Sequence, residues 1–564
     1  MKIEVDRFST DDRVVSTGSS ALHAQQKTER ARIVAACGLL AVVSILAYAP
    51  VWNAYFLADD FAYVRLYANH PFIDWWQIAA GDWTKGIWGQ QLDELRSMMA
   101  LAFWWDGRLW PFNLFGLHFT NLVFHAASSV MVFLLARSVF AGALGVSLAA
   151  GLLFSLHPIH AEAVSWISGR ADPMCAFFSL ASLWFFVHYR SGRRIRSYVL
   201  SLAAFVLALF SKEIAITFPL LPLGFDLFER KRSGKRWSAL LPGLSGYFVL
   251  LAIYLGIRRI AFPHALREDA LNFSVLKEFA LRQQVYATYL FPHLPLLLLV
   301  LLISGVTIAA LRRWSHKPLE GALDDRGALI FFGPWWYLAC VAPLIVTYSS
   351  PRHLYLTSAG LCILTPLLIR VLVGRRFFTV AALCLCAVSA MLLFYRNFQW
   401  RFTADASDRA RIAIERLVGV TPSGSGLIVN IPESIRNQYL WLGSLPFVME
   451  PQYSLAGTYQ HFRVVEKPKT YRYWSASKDG TGKSWIGDRR QVLEDLISHP
   501  TDTYVVSLDP ARRILTRRIA AADVGAQLSP LLEIVGRHGP ADAIDEINAE
   551  WESFWKRSNS YVTQ

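Results

Sequence analysis

The chain has 564 residues, of which 54% are hydrophobic, 14% aromatic and only 17% charged, where a soluble protein carries roughly a quarter charged residues. Long apolar runs between residues 33 and 395 exclude a soluble multidomain enzyme, a disordered scaffold and a secreted disulfide framework, and leave a polytopic membrane protein with room for one soluble domain. The net charge of +14, from 56 Lys+Arg and 42 Asp+Glu, does not make nucleic acid a partner, because the basic residues cluster in short loops between apolar runs, where they set membrane orientation.

Residues 1–32 are polar and mixed in charge and read as a cytoplasmic tail. The first apolar run, 33–52, reads as an uncleaved signal anchor: Ala47-Tyr48-Ala49 resembles a signal-peptidase site, but the polar lead is long for a signal peptide. An amphiphilic loop from 57 to 110 follows. Its tryptophans Trp75, Trp76, Trp83, Trp88, Trp104 and Trp105 fit an interfacial belt more simply than a sugar-stacking surface.

Ten further apolar segments come next, at 111–136, 143–157, 173–189, 197–211, 214–228, 238–257, 291–311, 328–347, 356–373 and 377–395, for about eleven spans. With the tail inside, the cytoplasmic loops hold Arg190–Arg196, Arg230–Arg236, Arg312-Arg313 and Arg375-Arg376. The opposite loops hold Asp59-Asp60, Glu162, Asp172, Glu213 and Arg267-Glu268-Asp269, the asymmetry of a positive-inside protein. Arg258-Arg259 is the clear exception.

From residue 401 the composition becomes that of a soluble domain, with helices expected at 403–417, 489–498 and 541–556 and strands at 426–431 and 503–508. The expected architecture is therefore a polytopic α-helical membrane domain (33–400) followed by a small extracytoplasmic α/β domain (401–564). The six cysteines, Cys37, Cys175, Cys340, Cys362, Cys384 and Cys386, all lie in apolar stretches and make no metal-ligand pattern.

Ionisable groups at span ends are functional candidates by default, and this topology puts four clusters on the external face. Asp59-Asp60 could deprotonate or position a nucleophile, hold a divalent cation, or simply cap a helix. The loop from His157 to Pro173 holds His157, His160, Glu162, Arg170 and Asp172. Asp172-Pro173 suits a helix start. Arg170 runs against the charge asymmetry and so calls for an anionic partner; it is read as an exposed side chain. The His-x-x-His spacing fits hydrogen bonds to carboxylates or to a phosphate better than a metal.

Lys212-Glu213 forms the third cluster, either self-neutralising or offering a cation to a phosphate. Arg352, His353 and Tyr355 form the fourth. Together Arg170, Lys212 and Arg352 would make a cationic patch at headgroup depth, suited to a phosphate anchored in the bilayer.

The acidic pair, the His-Pro-x-His-x-Glu-Ala-Val…Gly-Arg-x-Asp loop, the Ser211-Lys212-Glu213 turn and the Arg352-x-x-Tyr355-Leu-x-Ser-x-Gly segment resemble C-type (GT-C) membrane glycosyltransferases. Within them the likeness is to the transmembrane and tetratricopeptide-repeat (TMTC) O-mannosyltransferases and their bacterial relatives, over residues 33–395. It implies sugar transfer from a polyprenyl-phosphate donor to a protein, lipid or glycan hydroxyl at the external face of a membrane, with the bacterial inner membrane the expected location. By position it makes Asp59 and Asp60 the catalytic pair. His157, His160, Glu162, Arg170, Asp172, Lys212, Glu213, Arg352, His353 and Tyr355 become donor-binding residues. The chain departs from the family after residue 401, where no tetratricopeptide repeat is visible. No cofactor is required by this chemistry, and a divalent cation is left open. A transporter or flippase of lipid-linked sugars is the alternative, but its charges would gather at the bilayer midplane on broken helices.

Overall fold

The computed structural model describes residues 11–68, 78, 80–85, 93–111, 113–140, 143–192, 194–233, 241–263, 273–292, 328, 330–432, 434–435, 438–441, 461–466, 485–508, 513–536 and 544–559. The expected span 291–311 after residue 292, the loop pairs Arg267-Glu268-Asp269 and Arg312-Arg313, and Trp75, Trp76 and Trp88 lie outside the described residues.

In chain order the membrane part contains α1 (Asp11–Leu46), α2 (Asp60–Ala68), α3 (Ser97–Leu109), α4 (Leu114–Val139), α5 (Leu144–Leu156), α6 (Ala161–Ser165), α7 (Ala171–Gly192), α8 (Ile195–Leu209), α9 (Leu220–Ser233), α10 (Leu241–Ala261), α11 (Phe273–Leu290), α12 (Trp336–Val341) and α13 (Tyr355–Val418). Five stretches among the described residues are long and apolar enough to cross a membrane: Leu114–Val139, Leu144–Ser165, Ile167–Gly192, Gly243–Ala261 and Pro351–Val418. Two shorter apolar helices, Ile195–Leu209 and Phe331–Ile345, join them. The chain is a helical membrane protein.

Local sequence explains where these helices depart from the expected spans. Segment 214–228 opens as a 3-10 turn, Glu213–Thr217, and becomes α9 only after Pro219, which cannot donate a backbone hydrogen bond. Segment 328–347 is broken by Gly333 and Pro334 into a π turn, α12 and a 3-10 turn. Segments 356–373 and 377–395 both lie in α13, which breaks at Gly374 (φ 73°, ψ 174°), a conformation that side chains with a Cβ avoid. Beyond Gly374 the helix runs to Val418, about 65 Å at 1.5 Å per residue and about twice a hydrocarbon core. The helix expected at 403–417 is therefore the projecting end of α13 rather than a separate element.

That projecting end carries the α/β unit. Strand β1 (Ser425–Asn430) is followed by the short β2 (Ser434–Ile435) and β3 (Gln438–Tyr439), then β4 (Phe462–Glu466), α14 (Trp485–Ser498), β5 (Thr503–Leu508), β6 (Ile514–Ile519), α15 (Ala521–Gly536) and α16 (Ile544–Asn559). The main sheet has the order β4-β1-β5-β6. β1 runs parallel to β4 and β5, with Leu427 opposite Val464 and Tyr504, and β6 runs antiparallel to β5. Alternation sorts its faces. Leu427, Val429 and Val506 share a core with Ala410, Ile414 and Leu417 of α13, whereas Ile428, Val465 and Val505 pack with Leu493, Leu496, Val524, Leu528 and Trp551 of α14, α15 and α16. Expected strands 426–431 and 503–508 and helices 489–498 and 541–556 fall on β1, β5, α14 and α16; β4, β6 and α15 were not anticipated.

Candidate active site

The site begins at the turn after α1. Four polar groups of its backbone are tied down by distant residues. The Ala54 carbonyl accepts from His118 Nε2 at 3.1 Å, the Phe56 carbonyl from Ser407 Oγ at 2.9 Å, and the Leu57 carbonyl from Trp166 Nε1 at 3.2 Å. The Ala58 N–H donates to the Leu440 carbonyl at 2.7 Å. Ala58 itself is buried at φ 45°, a left-handed conformation that costs a non-glycine residue free energy and persists only where its surroundings impose it.

The two aspartates that follow have different tasks. Asp60 is buried, and its carboxylate accepts from the Leu57 N–H at 3.0 Å, the Ser168 N–H at 2.8 Å and Ser168 Oγ at 2.6 Å. It ties the turn to the loop before α7. Asp59 is half-buried, and its carboxylate has no hydrogen-bond partner among the described residues. Burial pushes Asp59 up to about 7, against the pull of Arg352 and with a further push from Asp60 and Glu94. Burial also lifts Asp60 to about 7, against its hydrogen bonds from Ser168 and Leu57.

The opposite charge acting on Asp59 comes from Arg352, the centre of a wall at the 3-10 turn Pro351–Leu354 that opens α13. Its guanidinium donates to the Tyr348 hydroxyl, lies 3.6 Å from Glu162 Oε1 and sits 4.7 Å above the Trp166 ring. Ser350 Oγ donates to the same Glu162 oxygen at 2.7 Å. His353 Nδ1 donates to the Tyr348 carbonyl at 3.0 Å, fixing the segment that presents Arg352. Lys212 donates to Asp172 Oδ1 at 2.6 Å, and Asp172 Oδ2 is buried without a hydrogen-bond partner among the described residues. Burial lowers the Lys212 ammonium and the Asp172 charge opposes that.

Lys212 and Glu213 do not neutralise each other. Glu213 pairs with Arg96 Nη2 at 3.0 Å and with Arg258 at 3.9 Å. Arg258, the exception to the loop-charge pattern, thereby has its anion.

Four expected donor contacts lie behind this wall. Arg170 is not the exposed cation the charge pattern suggested: it is 0% exposed. Its Nη1 pairs with Asp106, its Nε and Nη2 donate to the Ile167 and Leu117 carbonyls at 3.2 Å, and Phe103 lies 4.0 Å beneath it. The anionic partner it needed is a protein carboxylate. His157 Nε2 donates to the Leu290 carbonyl at 3.2 Å while its Nδ1 accepts from the Ile159 N–H. His160 bonds Ser358 Oγ at 2.8 Å, and Tyr355 bonds His125 Nδ1 at 2.5 Å, both sealed in the core. These side chains lock the loop onto α4, α11 and α13. Among the described residues, no group of three His, Cys, Asp or Glu is placed to hold a metal ion.

The loop is compact because two 3-10 turns, Pro158–His160 and Ile167–Arg170, flank α6. A Cβ at Gly169 would meet the Ala163 carbonyl oxygen at 2.8 Å. Asn121 of α4 donates to the Trp166 carbonyl at 2.9 Å. Sequence reasoning missed Asn121, Asp106, Tyr348 and Tyr439. Asp106, an acid within the aromatic run Phe103-Trp104-Trp105, carried a usable signal. Trp83 also departs from the belt, being buried with its indole on Glu94 Oε2 at 2.8 Å, whereas Trp105 is exposed.

No protein-family model matches the chain. It is similar to the protein O-mannosyl-transferase Tmtc1 of Drosophila melanogaster, with 32% identity over 228 residues covering 38% of this chain and 25% of that protein. It is also similar to the protein O-mannosyl-transferase TMTC1 of Homo sapiens, with 30% identity over 212 residues, 34% of this chain and 24% of that one. The chain thus spans about a quarter of the length of these curated relatives, and the likeness read from the motifs is a likeness to TMTC-type O-mannosyltransferases. Among solved structures, the archaeal oligosaccharyltransferase AglB from Archaeoglobus fulgidus, in complex with an inhibitory peptide and a dolichol-phosphate, aligns over 88% of this chain and 78% of its own at 13% identity and a TM-score of 0.43. That score is too low to argue a shared fold from.

Proposed function

We propose that the chain is a membrane glycosyltransferase that moves a sugar from a polyprenyl-phosphate donor to an acceptor hydroxyl at the external face, inverting the anomeric carbon. In this reading about eleven spans form the membrane domain (33–400), the N-terminus is cytoplasmic and the α/β unit (401–564) is extracytoplasmic. The carrying observation is the Asp59 carboxylate of the pinned turn, without a hydrogen-bond partner among the described residues and under the charge of Arg352, which in turn lies beside Glu162.

The division of labour follows from charge. As the bond from the anomeric carbon to the lipid phosphate breaks, negative charge grows on the phosphate, and fixed cations stabilise it. Arg352 supplies the nearer charge, with Lys212 behind it on Asp172. Asp59 takes the proton of the acceptor hydroxyl. Asp60 and Ser407 hold the turn, and Asn121 the loop beside it, so that little reorganisation accompanies the reaction. The curated relatives, named protein O-mannosyl-transferases, favour a mannose-like hexose. Purified protein incubated with a panel of polyprenyl-phosphate sugars is expected to release lipid phosphate from at least one of them, and release from none would refute the reading.

A base held at about 7 also dictates a pH profile. Transfer at saturating donor is expected to rise as Asp59 ionises through about pH 7 and to level off above it. A rate that is flat from about pH 5 to about pH 8 would remove the carboxylate from the chemistry.

A further inference from the structure

One residue of the α/β unit, Tyr439, packs at the edge of the core among the charged groups around Asp59. Tyr439 of β3 is half-buried, and its hydroxyl has no hydrogen-bond partner among the described residues. Its neighbours are fixed: the Leu440 carbonyl receives the Ala58 N–H at 2.7 Å, and the Trp441 indole donates to Ser407 Oγ at 2.7 Å. The Tyr439 ring lies 5.7 Å from that of Trp166, the same indole that holds the Leu57 carbonyl and lies under Arg352. Burial suppresses the acidity of the phenol, Tyr348, Glu162 and Asp59 add to this, and Arg352 opposes it.

We propose that Tyr439 is an acceptor-binding residue, its phenol hydroxyl bonding the incoming hydroxyl beside Asp59, so that the C-terminal unit supplies part of the active site. This rests on the glycosyltransferase reading. The Asp59 carboxylate suits a neutral hydroxyl, whereas a phosphate belongs at the Arg352 guanidinium. The acceptor oxygen bonds to the anomeric carbon and the bond to the phosphate oxygen breaks with its electron pair. The acceptor proton passes to Asp59, and Tyr439 keeps its own.

The test uses the full-length protein with polyprenyl-phosphate mannose as donor. Water competes with a threonine peptide, a disaccharide and glycerol as acceptors. Tyr439→Phe is expected to retain donor hydrolysis by water and undecaprenyl-phosphate binding. Transfer to the wild type's preferred acceptor should fall about ten-fold through a higher acceptor KM, the effect of one lost hydrogen bond. An unchanged ratio of transfer to hydrolysis, or water as the wild type's sole acceptor, overturns the inference alone. Failure of the wild type to release lipid phosphate from the donor panel overturns the functional reading, and this inference with it. Labelling of Tyr439→Cys by a charged thiol reagent gives a reading independent of activity. Undecaprenyl phosphate is expected to slow it several-fold, and unslowed labelling places residue 439 outside the site.

Discussion

Asp59→Asn is expected to lower sugar transfer by about 10²–10⁴-fold, the usual worth of a positioned general base, without loss of folded protein. Asparagine keeps the volume and removes only the capacity to take a proton. The wild-type carboxyl holds its proton to about 7, above the ordinary aspartate value of 3.8. Between those values the folded state binds a proton that the unfolded state has released, so stability declines as pH rises across that window. Asp59→Asn removes this cost, and its thermal midpoint at pH 8 should equal or exceed that of the wild type.

Asp60→Asn separates the two acids. Its amide would turn a donor toward the Leu57 N–H or the Ser168 donors, where Asp60 now accepts three bonds. An unsatisfied buried donor costs about 1–3 kcal/mol, so the midpoint should fall along with activity. Transfer by Asp59→Asn at the wild-type rate would refute the assignment of the base. An unchanged midpoint in Asp60→Asn would refute its role as the tether.

The sequence exposed those parts of the site that are local in the chain. The acidic pair, the compact loop from His157 to Asp172 and the basic start of α13 were visible as polar residues beside apolar runs, and the Arg352 charge does act on Asp59. It could not show which of two adjacent aspartates is bonded, because the partner of Asp60, Ser168, is 108 residues away. It likewise could not pair Glu162 with Ser350, at a separation of 188. The same limit applies to the helices: hydropathy located segments 356–373 and 377–395, but only the backbone at Gly374 shows that one residue joins them. The α/β unit was read from its two most apolar strands, while β6, with Arg517 and Arg518 on an edge, lacks the burial that makes a strand audible in sequence.

Arg170 carries the second large expectation, now a structural one. Arg170→Ala would strand the Asp106 carboxylate, which is 2% exposed and among the described residues keeps only the Thr120 hydroxyl at 2.6 Å. Breaking such a buried pair costs about 3–5 kcal/mol, enough to deplete folded protein during purification. Arg170→Lys should recover only part of this, since an ammonium cannot reach Asp106 and the Ile167 and Leu117 carbonyls with one planar fork. Replacing both partners, as Asp106→Leu with Arg170→Met, should cost less than Arg170→Ala alone because no lone charge remains. Asp106→Ala makes the decisive comparison, since an aspartate has no means of gripping a phosphate. If the pair is a scaffold, Asp106→Ala and Arg170→Ala should lower the thermal midpoint alike. If Arg170 instead binds the donor, Arg170→Ala would raise the donor KM at an unchanged midpoint while Asp106→Ala would not. The order of those two midpoints therefore decides whether the signature arginine meets the substrate or holds in place the loop that does.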